Sequence, residues 1–244
     1  MYLDLAAIAF GAFLGAVVIG SAGFAFAIVV TGIWIYVLPP VTLVFLTSIC
    51  ATLLHAVNLW KFRRDIQYRL LWPFLVGGVL GVPIGVAVLA HTDTMLFRHM
   101  FGAFMILYGG YMLSRPHVPV ILLAPAAGRL SDAVVGWASG ILGGLAMLNG
   151  VLTTIWCSLR GWDKRKSRCV YQPYIGFTSI IVMLVLGLNA DVKVSRFGLY
   201  LAACLPGLAL GLWIGLRIFD WVSEEGFRKL VLVLIFASGI ALQF

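Results

Sequence analysis

Two glycine-containing segments interrupt the long apolar stretches of this chain. The first is Gly-Ser-Ala-Gly at 20–23, and the second is Asn149-Gly150, which follows a Gly-Gly pair. Glycine is a poor helix former, so a helix is weakest at such places. The helix that resumes has unpaired N–H groups and a partial positive charge in its first turn, and this combination binds anions. We therefore predict an anion-binding site formed by Gly20, Ser21, Gly23, Asn149 and Gly150, with Ser21 and Asn149 as side-chain donors.

A second group of polar residues lies within predicted membrane spans. It comprises His55 and Asn58 in one span and Gln172 and Tyr174 in another, and we expect all four to bind the same substrate. His55 can titrate or donate to an anion, although a hydrogen-bonded structural histidine is an equally good interpretation. No carboxylate lies inside a span, so a coupling proton or cation would depend on His55, on carbonyl groups or on the substrate itself.

Three alternatives compete with an anion carrier. Each glycine segment can be a simple packing kink, but the recurrence of the break in both halves favours a binding site. Ser21 and His55 could serve an intramembrane serine protease, yet nothing identifies an oxyanion hole, and we expect no enzyme activity. A channel is the third alternative, although the Asn-Pro-Ala pairs of aquaporins are absent. The four cysteines show no ligand spacing, so no metal or cofactor is expected.

The composition is that of a membrane protein. Of 244 residues, 62% are hydrophobic and 11% are charged, whereas a soluble domain is about 45–50% apolar and about 25% charged. All nine acidic residues lie at or outside the edges of the apolar stretches. The net charge of +8 does not indicate nucleic acid, because the basic residues cluster in short loops between apolar segments.

The lengths of the apolar stretches predict six crossings and two broken helices. A crossing needs about 20 helical residues, and the six crossings are expected near 41–60, 70–90, 99–114, 169–190, 197–216 and 230–244. Segments 5–38 and 133–159 are each too long for one crossing and too short for two. Because each contains glycines near its middle, we predict that both are broken helices, re-entrant or kinked.

Internal similarity predicts two repeats. A shift of 130 residues aligns ten identical pairs, among them Gly77, Gly81 and Gly85 with Gly207, Gly211 and Gly215. The four-residue spacing places each glycine trio on one helix face, where it allows close helix packing. We predict a first transmembrane repeat at 1–114, a linker at 115–130 and a second repeat at 131–244.

The basic residues predict the orientation. If both broken helices are re-entrant, fourteen of the 17 Lys and Arg residues lie on one face, and Arg98, Lys193 and Arg196 lie on the other. The positive-inside rule then places both termini in the periplasm. Each repeat has an odd number of crossings, so the repeats are inverted. The predicted fold is an all-α integral membrane protein with two inverted repeats, each with a broken or re-entrant helix followed by three membrane-spanning helices.

A family resemblance rests on the second half of the chain. It reads Gly136-Trp-Ala-Ser-Gly-Ile-Leu-Gly-Gly-Leu-Ala-Met-Leu-Asn-Gly150, then Leu159-Arg-Gly-Trp-Asp-Lys and Tyr171-Gln-Pro-Tyr174. This resembles the sulfite exporter TauE/SafE family of the toluene-sulfonate uptake permease superfamily. The resemblance implies a multi-pass permease of the bacterial inner membrane that moves sulfite or an organosulfonate, aromatic ones included. Asn149-Gly150-Val151 stands where the family suggests Ser-Gly-Pro, and the first break has fewer glycines, so the exact substrate and direction stay open.

The resemblance also sets the expected partners. They are a small anionic substrate, a coupling proton or cation, and membrane lipid, with no nucleic acid. The oligomeric state is open, a homo-oligomer included.

Overall fold

The structure is a computed structural model, and the residues that it describes are helical in nearly all of their length. It describes 2–22, 25–62, 66–114, 120–121, 123–189 and 197–221, together with 232, 233, 236, 237, 239, 240, 242 and 243. These residues form the following helices: α1 (Tyr2–Ala22), α2 (Phe26–Trp34), α3 (Pro40–Phe62), α4 (Tyr68–Ala90), α5 (Thr94–Ser114), α6 (Pro125–Ala146), α7 (Asn149–Leu159), α8 (Lys164–Asn189) and α9 (Phe197–Trp221). The all-α prediction is confirmed.

Five of the described helices are long and apolar enough to cross a membrane. The windows that meet this criterion are Leu3–Ser21, Pro40–Val57, Tyr68–Ala90, Arg165–Leu188 and Phe197–Arg217. The chain is therefore a multi-pass membrane protein. The predicted crossing at 99–114 is helical as α5 but is not among the five, and much of the predicted crossing at 230–244 lies outside the described residues.

The chain divides into two compact units. The first unit contains residues 1–50, 92–116 and 191–244, and the second contains 51–91 and 117–190. Each unit therefore combines parts of both predicted repeats. In the first unit α1 packs against α9, and in the second unit α6 packs against α4. The broken helix of each predicted repeat thus packs on a helix from the other repeat, while the predicted inversion of the repeats stays a prediction.

The glycine trios make these two helix contacts. On α9, a Cβ atom at Gly207, Gly211 or Gly215 would press against the carbonyl oxygens of Ala9, Phe13 and Val17 on α1. On α4, a Cβ atom at Gly77, Gly81 or Gly85 would overlap the carbonyl oxygens of Ala133, Trp137 and Ile141 on α6. In both units backbone lies directly on backbone, which is the packing that small residues allow in lipid.

We predict that Gly81→Leu prevents the contact between α4 and α6. The leucine would need to separate two backbones, so the free energy of unfolding should fall by about 3 kcal/mol. Gly198→Leu is the matched control, because nothing lies within 4 Å of a Cβ atom at Gly198. Thermal unfolding of the purified protein in detergent measures the effect. Equal stability of the two variants would contradict the packing role of Gly81.

Candidate anion-binding site

The first helix break lies between α1 and α2. Ala25 is the N-cap residue of α2 and has left-handed backbone angles (φ 71°, ψ 7°). Alanine has no side-chain acceptor, and α2 has no side-chain cap. The first N–H groups of α2 are therefore left without the partner that a capping side chain supplies. Gly23, a predicted site residue, lies outside the described residues.

Ser21 and Gly20 are placed by contacts within the first unit. Ser21 is buried, and its hydroxyl group donates to the carbonyl oxygens of Val17 (2.8 Å) and Val18 (3.2 Å). The single hydroxyl proton of Ser21 is thus directed into α1, so toward any other group the hydroxyl oxygen can only accept a hydrogen bond. A Cβ atom at Gly20 would lie 2.9 Å from the Cα atom of Gly215, so Gly20 is a position of close backbone approach to α9.

The helices α1 and α2 form an antiparallel hairpin. The indole N–H of Trp34, near the end of α2, donates to the carbonyl oxygen of Ile8 near the start of α1 (3.1 Å). Phe26, at the start of α2, packs against Gly15 of α1. The chain therefore turns back along α1 after the break, while the re-entrant course of this segment stays a prediction.

The second helix break lies between α6 and α7. Met147 follows α6 with left-handed backbone angles (φ 58°, ψ 24°), and its N–H donates to the carbonyl oxygen of Gly143 (2.8 Å). Leu148 is the N-cap residue of α7, and it also lacks a side-chain acceptor, so α7 begins without a side-chain cap. Among the described residues, the positions with left-handed backbone at the two breaks are Ala25 and Met147, and neither is a glycine.

Gly143 lies inside α6, one turn before the break. A Cβ atom at Gly143 would lie 2.8 Å from the Cβ atom of Asn149. Gly143 therefore allows the start of α7 to pack against the end of α6, whereas Gly144 faces α4 at Val82, and the helix ends only after Ala146.

Asn149 holds the start of α7 against α8. Its side-chain Nδ2 donates to the hydroxyl oxygen of Thr178 (2.7 Å), and it has longer contacts to the Ile175 carbonyl oxygen (3.4 Å) and the Ser179 hydroxyl oxygen (3.5 Å). The hydroxyl protons of Thr178 and Ser179 are directed to carbonyl oxygens of α8, so both oxygens are available to accept. Asn149 is buried at 2% exposure, which makes this polar anchor costly to lose.

The other predicted residues of the second unit differ in their bonding. The phenol group of Tyr174 donates to the carbonyl oxygen of Gly136 (2.7 Å) and joins α8 to α6. Gln172 and His55 are each 2% exposed. Within the described part of the chain, Nε2 of Gln172 and Nδ1 of His55 have no hydrogen-bond partner. The side chain of Asn58 lies outside the described residues.

One face of α8 carries Gln172, Gly176 and Ser179, and we call it the α8 polar face. The spacings of four and three residues place the three residues on one side of the helix. The side chain of His55 packs against Gly176, since its Cβ atom lies 3.2 Å from the position of a Cβ atom there. Asn149 contacts Ser179 on the same face. Gln172, His55 and the start of α7 are therefore brought to one face of α8.

Sequence reasoning did not assign Thr178, Ser179 and Gly143 to the site. Thr178 and Ser179 follow Tyr174 by about one helical turn in a predicted span, and polar residues at that depth are a signal of function. Gly143 offers only its small size as a signal.

The comparisons with known proteins give one match. The profile of the family described as Sulfite exporter TauE/SafE matches residues 7–242. No curated protein and no solved structure matches the chain. Because the matched range covers nearly the whole chain, the protein belongs to the sulfite exporter TauE/SafE family.

Proposed function

We propose that the chain is a permease of the bacterial inner membrane for a small sulfur-containing anion such as sulfite or an organosulfonate, bound at the two helix breaks. The family is one of membrane transporters of sulfur anions, and the described helices include five of membrane-crossing length and composition. In this proposal both termini are periplasmic, because the basic residues then lie mainly in the cytoplasm. The substrate and the site are our own inference.

The observation that carries the proposal is the start of α7. This helix begins at a buried asparagine, after an N-cap leucine whose side chain cannot accept a hydrogen bond from the first N–H groups; in the first turn, the N–H of Val151 donates to the Leu148 carbonyl oxygen (3.2 Å). At membrane depth, water does not satisfy such groups, and an interrupted helix is tolerated where it lines a cavity or contacts protein. An anion that accepts from the first turn of α7 would satisfy these N–H groups and gain from the helix dipole.

Side chains of the α8 polar face would complete the contacts to the anion. Gln172 has a buried amide nitrogen without a hydrogen-bond partner in the described residues, and an unpaired buried donor costs about 1–3 kcal/mol. Sulfite and sulfonate groups carry three oxygen atoms that accept hydrogen bonds, so one anion can receive the amide of Gln172 together with backbone N–H groups. Asn149 and Tyr174 use their donors within the protein and would position α7 and α8.

The first break is included because the helix that follows it, α2, also begins without a side-chain cap. In the proposal, Gly20 and Ser21 shape this break, and the first N–H groups of α2 are anion donors of the same kind within the first unit.

Ligand binding tests the substrate class directly. A ligand that binds only the native protein stabilises it by about 2.7 kcal/mol at a hundred times its dissociation constant. We predict that sulfite or an organosulfonate raises the melting temperature of the purified protein, while carboxylates of similar size do not. Benzenesulfonate against benzoate is the matched pair, since the two share the ring and differ in the acid group. Stabilisation by benzoate alone would contradict a sulfur anion as substrate.

We predict that Asn149→Leu strongly reduces uptake while the protein stays in the membrane. Loss of the bond to Thr178 removes the polar anchor that positions α7, so uptake should fall by roughly ten- to a hundredfold. The control is Thr154→Val, since the Thr154 hydroxyl donates within α7 to Val151 (2.9 Å). The measurement is uptake of labelled sulfite and organosulfonate into proteoliposomes. Saturation and counterflow in the unaltered protein identify a carrier, and fast unsaturated flux identifies a channel. Full uptake by Asn149→Leu would remove the second break from the site.

His55 gives a pH prediction. If His55 takes up a proton during the transport cycle, the charged imidazole near the α8 polar face would attract the anion, and uptake should rise as the pH falls from neutral to acidic values. His55→Ala should remove this rise, whereas His91→Ala should keep it, because His91 is exposed and bonded to its own helix at Ala87. The rate of uptake is measured across this pH range. If His55→Ala and the unaltered protein share one profile, His55 is only structural.

A further inference from the structure

Asp132 is a buried carboxylate that connects α6 to α7. Its exposure is 2%, and it precedes the charge-free stretch 133–159. The indole N–H of Trp156 on α7 donates to its Oδ1 atom at 2.6 Å. Nη1 of Arg160, just after α7, lies 3.6 Å from the same oxygen atom. A full aspartate charge at 2% exposure is unusual, because burial of a charge is costly unless it is well paired.

These contacts close the open end of the α6–α7 hairpin. Asp132 and Gly128 lie one turn apart on α6, and Trp156 and Arg160 lie one turn apart after the break. A Cβ atom at Gly128 would lie 2.7 Å from Nη1 of Arg160, so the glycine leaves room for the guanidinium group. The other end of the hairpin is the Gly143–Asn149 contact beside the break. The position of α7 is therefore set by contacts at both of its ends.

The surroundings of Asp132 disfavour its charged form. Asp132 lies outside the five candidate spans, and burial raises the pKa of its carboxyl group, while the Trp156 hydrogen bond and the Arg160 charge act in the opposite direction. Arg160 is not held by Asp132 alone, since its guanidinium group also lies over the ring of Trp162 (5.5 Å). It can therefore stay in place when Asp132 is neutral.

Ionisable groups near Asp132 lie on α7, α6 and α8. On α7, Cys157 lies close enough to sense the charge of Asp132, and a thiol is neutral at acidic pH. On α6, Arg129 is exposed and lies nearly one turn away. The segment of α4 that packs here, around Gly77, is apolar, and from α8 the phenol of Tyr174 bonds Gly136, about one turn further along α6.

We propose that Asp132 is a positioning residue with a proton-binding role: in its neutral form it holds α7 against α6, and in its charged form it favours separation of the two helices. An effect of Asp132 on transport rests on the proposed function, because a movement of α7 would also move the first-turn N–H groups that are proposed to bind the anion. The reason is hydration. A separated hairpin lets water reach the carboxylate, whereas the closed hairpin buries it.

The sign of the pH effect follows from this reason. The closed hairpin binds the proton more tightly than an open hairpin in which Asp132 is hydrated. Acidification therefore favours the closed form, and a rise in pH through the titration of Asp132 favours opening. Each pH unit between the titration of Asp132 in the closed hairpin and its titration in the open hairpin changes the ratio of closed to open forms about tenfold.

Hydrogen exchange of α7 tests the inference without any substrate. The unaltered protein in lipid nanodiscs should show amide protection in 151–159 that decreases by about tenfold as the pH rises, after correction for intrinsic exchange. Asp132→Asn is neutral and keeps an oxygen atom for the Trp156 indole, so its α7 should stay protected at every pH. Trp156→Phe removes the indole donor and should lower the protection at acidic pH.

Asp163→Asn is the matched control, because Asp163 is an exposed acid that accepts the N–H of Lys166 (2.8 Å). It should keep the pH dependence of the unaltered protein. A merely structural Asp132 would give faster exchange in Asp132→Asn at all pH values, and this result overturns the inference. The same pH dependence in the unaltered protein and Asp132→Asn also overturns it, even where sulfonate uptake proceeds as proposed. Absence of sulfur-anion uptake with the expected exchange pattern would instead refute the proposed function and keep the role of Asp132.

Discussion

The structure depends on one constraint: a helix that stops inside a membrane must have its exposed backbone groups satisfied by something other than lipid. At the second break, the N–H groups of Met147 and Leu148 return to carbonyl oxygens of α6. The first turns of α2 and α7 are different, because neither Ala25 nor Leu148 has a side chain that can cap them. The unmet requirement at these two helix starts is the feature that a substrate anion would complete.

The glycine contacts are the reason that such breaks can persist. A short helix such as α2 or α7 has little stability of its own, so it needs a rigid neighbour. The helices α1 and α6 provide one, since each is pressed against α9 or α4 with backbone on backbone. The cost of the interruption is then met within each unit: Trp34 joins the two arms of one hairpin, and Asp132 with Trp156 joins the two arms of the other.

Much of the fold could be predicted from the sequence, because length, charge and glycine spacing are strong signals in a membrane protein. The two interruptions fall within the segments predicted to break, and the four-residue glycine spacing predicted the close helix contacts. The exact point of interruption could not be predicted, since glycine serves here for close approach, as at Gly143 beside Asn149, while Met147 takes the left-handed backbone. The burial of Asp132 could not be predicted either. Asp132 lies at the edge of an apolar stretch in the sequence, and its burial involves a tertiary contact with Trp156 of α7.

The side chains of the candidate site divide into two groups by what their hydrogen atoms do. Asn149, Tyr174 and Ser21 direct their donors into the protein, so they fix helices and have little to give to a ligand. Gln172 and His55 hold buried nitrogen atoms without a hydrogen-bond partner in the described residues. The donors of the first group are already used within the protein, whereas the nitrogen atoms of the second group still need a hydrogen-bond partner. A polar residue inside a span is therefore not by itself a ligand of the substrate, and the distinction rests on whether its donor has already been used. By this criterion, the proposed site would use backbone N–H groups at the start of α7 and the amide of Gln172 as donors to an oxyanion, with Asn149 holding the start of α7 against α8.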